Sequence, residues 1–149
     1  MTRTRKAKRS SGQEALRKNG MMAHLLDSLD EGLDIGHYGR LVFAMVARHF
    51  VEEEELRELL MKDPACDERQ ALALIEQVQG RDYSPPRRAK VLQFQAQQDF
   101  PICPNPEDPD AGNVYKDLQF PESVYEHISD YREQKAHAHE EEGSGAHSS

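Results

Sequence analysis

Tryptophan is absent from this 149-residue chain, and cysteine occurs only twice, at Cys66 and Cys103. No stretch approaches the ~18 consecutive apolar residues that carry a helix across a bilayer. The N-terminus opens with arginine and lysine but lacks the apolar stretch of a secretory signal. A cytoplasmic protein with no membrane partner is therefore expected. The two cysteines stand too far apart for a close-spaced zinc site, and in a reducing compartment they read as free thiols. His137, His139 and His147 lie at the C-terminal end without a folded cage, so no metal ligand is assigned.

Other absences bear on catalysis. The chain has no glycine loop for phosphates, no strand-to-helix nucleophile turn and no metalloprotease helix signature. Its carboxylates fall in runs, at Glu52 to Glu55, Glu107 to Asp110 and Glu140 to Glu142. A catalytic acid or base needs its own burial or its own charged neighbour to tune it, and a run of acids reads as a solvated face or tail. The sequence gives no ground for assigning an enzyme, and no cofactor is expected.

What is present is charge, unevenly placed. Charged residues make up 31% of the chain and hydrophobic ones 37%, which suits a core spread over about 100 residues rather than the whole length. The formal net charge is −8. Between Met1 and Asn19, seven bases (Arg3, Arg5, Lys6, Lys8, Arg9, Arg17, Lys18) face one acid, Glu14, so that stretch nets +6 and the remainder −14. A basic arm on an acidic body suits an anionic partner for the arm.

Apolar spacing points to an all-α fold: a small bundle of four to six helices with disordered termini and an irregular proline-rich segment. Residues 1–12 read as a disordered basic arm, 13–34 as an N-terminal helical segment, 35–134 as the helical domain, and 135–149 as a disordered acidic and histidine-bearing tail. Leu16, Met22, Leu25, Leu26 and Leu29 predict one helix over 13–33, with Gly20 costing it about 1 kcal/mol. A broad stripe from Tyr38 to His49 marks a central helix buried on more than one side. Glu52 to Met61 follows, with acids favouring its positive end. Asp67 and Gln70 form a capping box for the next helix, which carries Leu72, Ile75 and Val78 on one stripe with Ala71 and Leu74 beside it, and which Gly80 closes. Pro86 is placed as the first residue of a helix reaching about Gln98. Residues 113–120 are the only stretch suggesting an edge hairpin, and a last helix starts at Pro121.

The most informative block runs from Arg81 to Lys90. Arg81, Arg87, Arg88 and Lys90 surround a helix start, where free N–H groups and the helix dipole already attract phosphates. Tyr83 adds an aromatic ring on which a base can stack. Together with Arg3, Arg5 and Lys6 of the arm, these residues form the candidate nucleic-acid-binding set.

The same block carries a family likeness. Leu56-Arg-Glu-Leu-Leu-Met-Lys-Asp-Pro64, Asp67 to Val78 with Gln77, Tyr83-Ser-Pro-Pro-Arg87 and Ile102-Cys-Pro104 follow one another in an order that resembles the C-terminal, iron–sulfur-type domain of archaeal and eukaryotic primase large subunits. The likeness covers about Ile35 to Pro104. Where that family has a cysteine after two prolines, this chain has Arg87, and Cys103 alone matches a cluster ligand. One thiolate cannot hold a cluster that takes four. The resemblance thus implies a cluster-less accessory module of replication or mobile-element machinery, engaging single-stranded template or phosphates without catalysis. The alternative expectation is a helical protein–protein interaction adaptor with no nucleic acid contact, docking a protein partner through Leu16 to Leu29, where Met21 and Met22 would give an adaptable surface.

Overall fold

A computed structural model describes residues 10–128. The basic arm with Arg3, Arg5 and Lys6, and the tail from 129 onward, lie outside the described residues. Among those described there is helix and no strand, so the chain is all-α. The helices are α1 (Ser11–Leu16), α2 (Gly20–Asp30), α3 (Gly36–Ala47), α4 (Glu53–Leu60), α5 (Glu68–Gly80), α6 (Arg88–Gln95) and α7 (Val114–Asp117). A further helical stretch covers 122–128. No described helix is long and apolar enough to cross a membrane.

The chain divides into two units, one ending at Gln119 and one starting at Phe120. In the second, the Phe120 N–H donates to the Tyr125 hydroxyl at 3.1 Å and their rings meet edge to face. The first unit holds α1 to α7.

Helix α3 is its centre. Every residue from Leu41 to Ala47 is buried, and the helix packs against α2, α4, α5 and α6. An apolar run with no polar face has no other stable place than the middle of a bundle. Around it, Leu25, Leu26 and Leu29 of α2, Leu56 and Leu60 of α4, Ile75 and Val78 of α5 and Val91 of α6 complete the core. The expected capping box of α5 is formed: the Gln70 N–H donates to Asp67 and the Asp67 N–H donates to Gln70. The buried stripe of α5 is Ala71, Leu74, Ile75 and Val78, which leaves Leu72 41% exposed instead of inward.

Four local expectations need correction. The single helix over 13–33 is two, because the buried Asn19 side chain accepts the Met22 N–H and starts α2 afresh, while its amide donates to Asp117 at 3.0 Å. Helix α1 begins at Ser11, inside the stretch read as disordered, with Ser10 capping it and donating to Glu55 at 2.6 Å. The hairpin over 113–120 is replaced by α7, whose Val114 is buried and whose Asp117 serves Asn19. Gly80 does not close α5. The reversal falls at Asp82, with φ +50°, where the Asp82 N–H donates to the Gln79 carbonyl and the Tyr83 N–H to that of Val78. That pair of bonds is a Schellman ending, for which glycine is the usual residue, as at Gly32 after α2.

Candidate nucleic-acid interface

Aspartate in the left-handed conformation is less costly than most residues, but it still needs support. Arg48, at the end of α3, supplies it: its guanidinium donates to the Asp82 carboxylate at 2.7 Å and to the Tyr83 carbonyl at 3.0 Å. These bonds fix the start of the extended segment 83–87. Pro85 and Pro86 are buried, and the Tyr115 hydroxyl donates to the Pro85 carbonyl. Held this way, the chain stays extended through Arg87 (φ −82°, ψ 163°), so α6 begins at Arg88 and not at Pro86. It ends at Gln95, short of Gln98, whose amide has other work at the start of α3.

Arg87 is the N-cap of α6 and provides no side-chain hydrogen bond to it, so the first-turn N–H groups carry no side-chain cap. The four predicted bases do not converge on one point. Arg81 and Tyr83 sit together at the end of α5, where Gln77 donates to the Tyr83 hydroxyl at 3.5 Å. That hydrogen bond, aided by the charge of Arg81, holds the phenol below its usual pKa against an opposing effect of desolvation. The Arg87 guanidinium lies over the Tyr115 ring, 5.7 Å from its centre. The Lys90 ammonium lies 5.5 Å from the centre of the Phe94 ring, which stacks on Tyr38.

Arg88 departs from its expected role. Two residues along a helix turn a side chain by about 200°, so Arg88 leaves α6 on the side away from Lys90. Its guanidinium donates to the Pro106 carbonyl and its Nε is buried without a hydrogen-bond partner. Arg88 therefore ties the irregular acidic segment to α6 and is not freely offered to a phosphate.

The pairing of the remaining charges singles out this region. Arg17, Arg40, Arg48, Arg57, Lys62 and Lys116 each stand within salt-bridge distance of a carboxylate. Among the described residues, the bases outside any such pair are Lys18, Arg69, Arg81, Arg87, Arg88 and Lys90, so most of them fall in the 81–90 segment. An open cavity of about 400 Å³ between α1 and α4 has the opposite character: Glu52, Glu54, Glu55 and Glu58 line it with Lys62, and it would repel a polyanion.

Sequence reasoning missed Tyr115 and Arg48. Neither belongs to a local motif, and each reaches the site only because α3 and α7 fold onto it. Cys103 is buried, and its N–H donates to Gln95 at 2.6 Å. Cys66 is buried in the turn between α4 and α5, where burial pushes its thiol pKa up. Among the described residues no three His, Cys, Asp or Glu side chains gather as a metal site would require.

His49 sits beside this region, half-buried. Burial, then the adjacent Arg48 charge, lower its pKa from 6.5 to about 4, with Asp82 opposing. The neutral ring is thus favoured in the folded state, and the unfolded chain takes up the proton first as pH falls. Stability is full above pH 6.5 and declines as pH falls toward 4. The shift would be worth on the order of 3 kcal/mol at full effect, cut to about 1–2 kcal/mol by solvent screening at a half-buried ring. Urea unfolding at pH 7 and pH 5 checks this: His49→Gln should lose less stability across that interval than the wild type, and equal losses would contradict it.

No protein-family model, curated protein or solved structure matches this chain.

Proposed function

We propose that this helical domain is a non-catalytic nucleic-acid-binding accessory module that engages single-stranded template or its phosphates, as a cluster-less relative of the primase large-subunit domain would in replication or mobile-element machinery. One observation carries the reading: among the described residues, most cations outside salt bridges fall between Arg81 and Lys90, from the end of α5 to the uncapped start of α6. Two of them stand over an aromatic ring, Arg87 by Tyr115 and Lys90 by Phe94, and the charge of Arg81 acts on the Tyr83 hydroxyl. Alternating positive charge and aromatic surface is what sequence-tolerant single-strand binding uses. Arg3, Arg5 and Lys6 would add non-specific phosphate contacts.

The adaptor reading draws less support, because the side chains expected to dock a partner, Leu16, Met21, Met22, Leu25, Leu26 and Leu29, are buried, at most 2% exposed.

Fluorescence anisotropy with a labelled oligothymidylate tests the proposal. The full chain should bind at about 50 mM salt and weaken steeply as salt rises. Arg87→Glu with Lys90→Glu should cost about tenfold or more and flatten the salt dependence by roughly two charges. Arg88 is left in place because its loss would loosen the 106–112 segment. Absence of binding at low salt, or binding abolished by neutralising Arg3, Arg5 and Lys6 yet untouched by the double reversal, would reject the folded site.

A further inference from the structure

We infer that Arg87, held over Tyr115, is a stacking platform for an unpaired nucleobase and not only a phosphate contact. The inference rests on the nucleic-acid reading above and assigns the kind of contact made there.

Arg87 is held by its aromatic neighbour and by the backbone that precedes it. Its side chain is exposed and has no carboxylate partner, so no acid dictates where the guanidinium lies. Instead it lies over Tyr115. Tyr115 is itself anchored, since its hydroxyl donates to the Pro85 carbonyl, two residues before Arg87. Pro85 and Pro86 are buried, and the N-cap geometry of α6 sets the backbone from which Arg87 projects. The ring, the proline segment and the arginine therefore form one short closed circuit: Tyr115 to Pro85 by hydrogen bond, Pro85 to Arg87 by chain, Arg87 to Tyr115 by cation–π contact. A guanidinium restrained this way loses less freedom on binding than a loose one.

A planar, delocalised cation resting on a ring offers a flat charged surface. Nucleobases stack on arginine as they do on aromatics, and the charge remains within reach of the flanking phosphate. A lysine ammonium has the same charge but no plane to offer. Exchanging the two thus separates stacking from charge, and at an exposed position the exchange leaves the core untouched.

The experiment uses the full chain and two labelled strands of equal length, oligothymidylate and the same backbone without bases, with wild type and Arg87→Lys. The wild type should prefer the strand with bases by about tenfold. Arg87→Lys should bring that preference to within about twofold while holding the base-less strand as well as wild type does. Equal wild-type binding to both strands would overturn the platform and leave the nucleic-acid reading standing, as would a full preference retained by Arg87→Lys. Failure of the wild type to bind either strand would overturn both.

Discussion

Asp63→Ala is expected to be the most damaging single change in the core, lowering the free energy of unfolding by about 3–5 kcal/mol. The Asp63 side chain is fully enclosed, with 0% exposure, in the turn after α4. Its carboxylate accepts the Ile35 N–H at 2.9 Å and the Ala65 N–H at 2.7 Å, and pairs with the Arg40 guanidinium at 2.9 Å. Alanine would remove the shared acceptor of all three donors, and the Ile35 N–H would be left with none. Ile35 is buried and starts α3 without a side-chain cap of its own, so its N–H has no route to water. Arg40 would keep only Asp34, at 3.2 Å and more exposed. Asp63→Asn should recover part of the loss, because one acceptor oxygen remains for a backbone donor. Urea denaturation followed by circular dichroism measures both, and a loss below about 1 kcal/mol for the alanine variant would show that the turn relaxes to bring in water.

The second large effect is expected at Gly36, where Gly36→Ala should cost about 2–4 kcal/mol. Two penalties combine there. Gly36 has φ +83°, a conformation that strains any residue with a side chain. An added Cβ would also stand 2.5 Å from the Gln98 Cδ and Nε2. Gln98 cannot withdraw cheaply, because its amide donates to the carbonyls of Ile35 and Phe100 and accepts the Tyr38 N–H in the first turn of α3. In effect Gln98, from the segment after α6, caps the central helix. In a Gln98→Ala background the same glycine change should cost only the backbone strain, about 1–2 kcal/mol. Additive losses would show that Gln98 already moves freely.

These two sites show why part of the fold was readable in advance and part was not. The central helix was legible because Leu41 to Ala47 is apolar on every side, and only a buried helix tolerates that. The α5 start was legible because Asp67 and Gln70 satisfy each other within one turn. The Asn19 break was not, although asparagine is a good cap, because what decides it includes Asp117, 98 residues away. The α5 ending was not legible either, for a similar reason. A glycine stood nearby, but Asp82 makes the reversal with Arg48 of α3 supporting it.

The candidate interface divides in the same manner. Charge content, the consecutive prolines and the helix start after them come from neighbours in sequence, so Arg81, Tyr83, Arg87, Arg88 and Lys90 could be picked out by reading along the chain. Their roles could not. Whether Arg88 faces a phosphate or the Pro106 carbonyl, and whether Arg87 swings free or lies on Tyr115, depends on which distant segment packs beside α6. Local spacing determines helices, caps and charge because those interactions close within a turn or two. Only the folded chain decides which cations are spent inside and which remain available, because those partners are far apart until the core brings them together.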